Sequence, residues 1–89
     1  MTPNRASDPD YDPIGPGLRS IRKARKVKVS NLSRETGIAR SGLDDLERGK
    51  RRLDIVELCK IANAMGVEPD ELFRILTAPY RANRLMGAV

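Results

Sequence analysis

Gly37 constrains this chain more than any other residue, because it breaks the run from Leu32 to Lys50 into two short amphipathic segments. Ahead of it, Val29, Leu32, Ser33 and Thr36 recur at three- and four-residue spacing, which is one face of a short helix. A glycine here can take the left-handed conformation that closes a helix cheaply, and Ile38 behind it is placed to plug the angle between two helices. From Arg40 to Arg48 a second apolar edge is formed by Leu43 and Leu46. Arg40, Ser41, Asp44, Asp45 and Arg48 spread over the rest of that surface, and Gly49 ends the segment. Two helices joined by a three- or four-residue turn containing glycine form a helix-turn-helix, a motif that lays its second helix in the DNA major groove.

The rest of the chain supplies helices to hold this pair. At 89 residues there is room for one small domain, and one Phe with two Tyr leaves the core to Leu, Ile, Val, Met and Ala. Residues 1–16 hold four of the six prolines and are expected to form a disordered, flexible N-terminal arm, with a domain over 17–77 and a tail over 78–89. A first helix is expected from Leu18 to Lys26, with Leu18, Ile21 and the stem of Arg25 facing inward. Asp54 with Glu57 three residues later reads as a capping-box start for another helix, which runs to Met65 before Gly66 with Ile55, Leu58, Ile61, Ala62 and Met65 on its core face. The last helix has Pro69 in its first turn, with Asp70 and Glu71 favourably placed near the positive end of the helix dipole. Its apolar surface exceeds what so small a bundle needs. Phe73, Leu76, Tyr80, Leu85 and Met86 are therefore candidate anchors of a homodimer contact, unless the tail simply frays. The fold class is all-α, a five-helix bundle.

Charge points to a partner. Arg5 against Asp8, Asp10 and Asp12 leaves residues 1–16 at −2, so the other 73 residues carry +7 of the overall +5. Six of the twelve residues from Gly17 to Lys28 are basic. Such a balance suits a polyanion, either nucleic acid or an anionic membrane. No apolar run approaches the ~20 residues that span a bilayer, and no signal-peptide core is evident, so a soluble cytoplasmic protein is expected. Catalysis is not expected. The chain has no histidine and no Cys/His cluster for zinc, and the adjacent acids Asp44 with Asp45 and Asp70 with Glu71 diverge by about 100° on a helix. No cofactor is implied. The single cysteine, Cys59, beside Leu58 and Ile61, reads as a packing residue.

Three segments carry a family resemblance: the turn LSRETGIARS, the LERGKRR after it, and the closing run LCKIANAMGVEPDELF. Together they resemble the phage-repressor and Cro-type helix-turn-helix family, called XRE-like, over roughly Gly17 to Leu76, about two thirds of the chain. The resemblance implies a lambda-repressor-like bundle. It also implies base reading from Arg40, Ser41 and Asp45, with Gly42 and Asp44 at the margins. Arg40 suits guanine O6 and N7, and Asp45, which only accepts, suits the amine of cytosine. Alternatively, Asp44 and Asp45 read nothing and lower non-specific affinity. Arg48, Lys50, Arg51 and Arg52 fall in the loop that family members lay along phosphates, where each neutralised charge releases counterions.

The chain departs from the family at two caps. Lys28 and Val29 stand where the second helix usually has a cap followed by a Gln that touches a phosphate, so that contact is not implied for this chain, although Lys28 or Asn31 could reach the same phosphate. Ala39 offers no acceptor ahead of the recognition helix. The family's ion pair between the first helix and the end of the recognition helix falls on Arg22 and Glu47.

These readings converge on a regulator of transcription that binds double-stranded DNA as a homodimer, most simply a repressor on an inverted-repeat operator. No second domain is seen to hold an inducer. One rival keeps the fold as an antitoxin, with a toxin as protein partner, or as a restriction-controller protein; another is a protein-interaction adaptor that never touches DNA.

Overall fold

The computed structural model describes residues 13–83, and its helices start and stop where caps and glycines dictate: α1 Ile14–Ala24, α2 Val29–Thr36, α3 Arg40–Glu47, α4 Ile55–Met65 and α5 Pro69–Asn83. Gly37 at φ 78° and Gly66 at φ 75° are left-handed caps that end α2 and α4. Gly49, at φ 77°, lets the chain turn after α3 so that Lys50 N reaches Asp45 O at 2.8 Å. Asp54 caps α4 by accepting from Glu57 N at 2.8 Å, and the Glu57 carboxylate accepts in return from Asp54 N.

Two helices run further than the sequence suggests. α1 begins at Ile14 and not at Leu18, so the boundary placed near Pro16 falls inside the helix. Pro13 is its N-cap, Gly17 N closes the first turn onto Pro13 O at 3.0 Å, and Pro16 sits where a missing N–H costs nothing. Gly15 is buried against the end of α3: a Cβ there would lie 2.7 Å from Leu46 O and nearer still to Glu47 O. α5 likewise continues through Pro79. The ring removes one helical hydrogen bond, and Arg81 braces the turn, donating to Thr77 Oγ1 at 2.6 Å and to Arg74 O at 2.7 Å. The rest of the expected arm, residues 1–12, lies outside the described residues, as do Leu85 and Met86.

Every helix seals at least one large side chain from water: Leu18, Leu32, Leu43 with Leu46, Ile61 and Leu72. Each such burial contributes about 2 kcal/mol. α1 packs on α3 and α5, α2 on α3 and α4, and α4 on α5, so the helix-turn-helix rests on α1 and α4, and α5 packs against both of those. Three residues depart from expectation. Ile55 opens α4 beyond the edge of the core and is 65% exposed, whereas Leu76 turns into the core at 2% and is closed to any partner. Arg25 is exposed; its Nε donates to Met65 O at 3.2 Å and its Nη2 to Gly66 O at 2.9 Å, closing the carbonyl end of α4.

Candidate nucleic-acid interface

The turn between α2 and α3 is tied by the side chains of two small polar residues. Ser33 Oγ donates to Ile38 O at 2.6 Å. Thr36, the one buried polar residue of the described chain, donates from its hydroxyl to Leu32 O at 2.7 Å and accepts from Ile38 N at 3.2 Å. The size of Ser33 suits close helix packing, but its hydroxyl also sets the angle at which α3 leaves the turn. Ile38 packs against the core beneath it.

The far end of α3 is held from α1. Arg22 Nε donates to Glu47 Oε2 at 2.6 Å and Nη2 to Oε1 at 3.0 Å, a two-pronged pair whose side chains are only 11% and 7% exposed. Arg22 Nη1 also donates to Val27 O at 2.9 Å, so a single guanidinium joins α1, the α1–α2 turn and α3. The hydrogen bond to Glu47 holds the Arg22 pKa above its ordinary value; burial opposes this, and the charges of Glu47 and Asp44 add to it. That turn contains Lys26, whose φ of 60° is unusual for a residue with a side chain.

With both ends fixed and Leu43 and Leu46 buried, α3 shows solvent a face made of Arg40, Ser41, Asp44 and Arg48, with Asp45 half-buried at its edge. The side chains of Arg40 and Ser41 form no hydrogen bond or ion pair with any other described residue. No side chain caps the start of α3 at Ala39, so the first amides of the helix have no side-chain acceptor. Donors thus dominate this end, while the carboxylates of Asp44 and Asp45 lie a turn further on.

Positive charge flanks the helix on both sides. Arg48, Lys50 and Arg52 are exposed after it. Arg51 differs from them: its Nη2 is paired with Glu57 of α4. Before the turn, Lys28 is exposed at the N-cap of α2, whose first amides have no side-chain cap, and half-buried Asn31 accepts from Arg34 Nη2 at 3.1 Å. Arg34 was not singled out from sequence; its place on the outer side of α2, three residues after Asn31, is the signal that would have found it. Such an arrangement can bind a polyanion through its flanks and present donors to it from α3. Among the described residues no group of His, Cys, Asp or Glu is placed to hold a metal ion, and no helix is long and apolar enough to cross a membrane.

Comparison with known proteins agrees with this geometry. The family model described as helix-turn-helix matches residues 18–72. The chain is 33% identical over 64 residues to an uncharacterized HTH-type transcriptional regulator of Mycobacterium tuberculosis, covering 72% of this chain but 25% of that protein. It is 31% identical over 65 residues to the control protein C.BamHI of Bacillus amyloliquefaciens, covering 72% of this chain and 80% of that one. The crystal structure of the restriction-modification controller protein C.AhdI from Aeromonas hydrophila superposes with a TM-score of 0.66 at 36% identity, covering 72% of this chain and 97% of that one. The chain therefore spans about a quarter of the mycobacterial regulator and most of the two controller proteins.

Proposed function

Since the chain belongs to the XRE-type helix-turn-helix family of DNA-binding regulators, we propose that it acts as a homodimer that recognises an inverted-repeat operator and represses transcription from it. The observation that carries this reading is the exposed start of α3, where Arg40 and Ser41 project unpaired from a helix anchored at both ends. Arg40 reads guanine through two hydrogen bonds, Ser41 serves a base or a phosphate, and Asp45 accepts from cytosine. Gly42 and Asp44 border the contact. Lys28, Asn31, Arg48, Lys50 and Arg52 lie toward phosphates and set affinity more than sequence choice.

Two copies spaced about one DNA turn, ~34 Å, would engage two half-sites and multiply a modest single-site affinity. The apolar groups left outside the core are what a second copy would cover: Phe73 and Ile75 on α5, and Ile55 and Val56 at the start of α4. Tyr80, half-buried on the same edge of α5 as Phe73, extends that contact.

A second reading is favoured by the comparisons: a controller of a restriction-modification system. It rests on matches that span 80% and 97% of two controller proteins, against 25% of the longer regulator. Selection of bound sequences from random duplex DNA, with the intact chain and with Arg40→Ala, tests the common premise. We expect an enriched palindrome that loses one base preference per half-site in the variant. Retention of DNA at low salt alone, with no enriched sequence, would overturn it. Mapping the palindrome onto the source genome separates the two readings, since a controller's site lies ahead of restriction and modification genes.

A further inference from the structure

Arg51 does not behave like its basic neighbours. The three other cations of the segment from Arg48 to Arg52 are exposed, whereas the Arg51 side chain is 38% exposed and turns back over α3 to pair with Glu57, itself 14% exposed. Its path is made possible by Gly42. A Cβ at position 42 would lie 2.6 Å from Arg51 Nη1, 3.8 Å from its Cζ and 3.3 Å from Ile38 Cγ2. Gly42 is therefore a notch in the recognition helix, and the guanidinium from the following loop fills it.

The notch lies at the border of the reading face. Residues three apart on a helix are surface neighbours, so Gly42 is one turn ahead of Asp45 on the edge of the solvent-facing surface. It is also the residue directly after Ser41. A guanidinium has five N–H donors in a planar fork. The Glu57 carboxylate takes only part of the Nη2 end, leaving Nη1 and the remaining Nη2 hydrogen to bind elsewhere.

Resting on the DNA-binding reading above, we propose that Arg51, held in the Gly42 notch, is a specificity-determining residue that stands in for the missing side chain of position 42, and that Glu57 is its positioning residue. Glu57 never touches DNA. It cancels part of the charge of Arg51, so a bond to phosphate gains less there than at Lys50, and it fixes the fork in one orientation before DNA arrives. A fork fixed in advance loses little freedom on binding and discriminates between base edges by direction. One residue thus serves two ends, since Glu57 is also the reciprocal half of the α4 capping box.

The test is selection from random duplex DNA with the intact chain, Arg51→Met and Glu57→Gln. Methionine keeps an unbranched aliphatic side chain but no donor. Glutamine at the third position of a helix still completes a capping box, so α4 keeps its start while the charge that steers Arg51 is gone. Urea unfolding of both variants verifies the fold. The intact chain should enrich a palindrome; Arg51→Met should lose a preference of about 5- to 100-fold at one base pair of each half-site. Glu57→Gln should weaken that same preference with the guanidinium still present. A motif unchanged in both variants, with only a uniform loss of affinity, overturns the proposal and makes Arg51 a backbone contact or scaffold residue. Loss in Arg51→Met alone overturns the role of Glu57. No enrichment by the intact chain overturns the inference together with the DNA-reading premise beneath it.

Discussion

Arg22 ties α1, the α1–α2 turn and α3 together, and the cost of losing it follows from where it sits. Removing one partner of a pair this buried leaves a lone charge in a dry place, so Arg22→Ala or Glu47→Ala should lower stability by about 3 kcal/mol in urea unfolding. Because the Arg22 pKa is raised in the folded state, its contribution is complete below the unfolded-state pKa and is lost as pH rises through the still higher folded value. It should therefore be flat through the neutral range and vanish only in strong alkali. Lys26 offers the opposite opportunity: glycine tolerates its φ of 60° without strain, and Lys26→Gly should raise stability by about 0.5–1 kcal/mol in the same measurement. Gly15→Ala should cost about 2 kcal/mol, since the added methyl meets backbone at Leu46 and Glu47, which cannot rotate away.

For the helices, caps decide what sequence can reveal. The ends of α2 and α4 were legible because Gly37, Gly66 and the Asp54–Glu57 box act locally, within a few residues of themselves. The start of α1 was not. Pro13, Gly15 and Pro16 carry the chemistry of a turn, yet α1 starts here with the end of α3 lying against Gly15, a contact between residues some thirty positions apart. α5 misleads in the same way, since Pro79 signals a stop that Arg81 and Thr77 bridge. In the candidate site, the exposed positions of α3 follow from the spacing of Leu43 and Leu46. The Arg51–Glu57 pair does not follow, because it needs to be known that the α3–α4 loop folds back over Gly42. The bare start of α3 also gives a prediction: Ala39→Ser supplies the missing acceptor and should stabilise the protein without DNA by about 1 kcal/mol in thermal unfolding.

At the scale of the molecule, formal charge overstates what is available to DNA. Arg22 and Arg51 pair with carboxylates and Arg25 and Arg81 hydrogen-bond carbonyls within the fold, so the salt dependence of binding should be smaller than the formal charge implies. Lys50→Ala should reduce the slope of log K against log salt by about 0.9, and Arg25→Ala should leave it unchanged. Association is tested by sedimentation. Phe73 and Ile75 flank the buried Leu72 and Leu76 on opposite edges of α5, so a substitution to Asp at each in turn should show which edge meets the second copy. The variant that yields monomers should also lose about 100-fold or more in operator affinity. The unpaired state of Arg40 and Ser41 reaches beyond this one protein. Side chains that no neighbour holds can drift through generations without penalty to folding, so a lineage is able to change its target sequence at those positions while the scaffold around Arg22 stays under a separate and stricter selection.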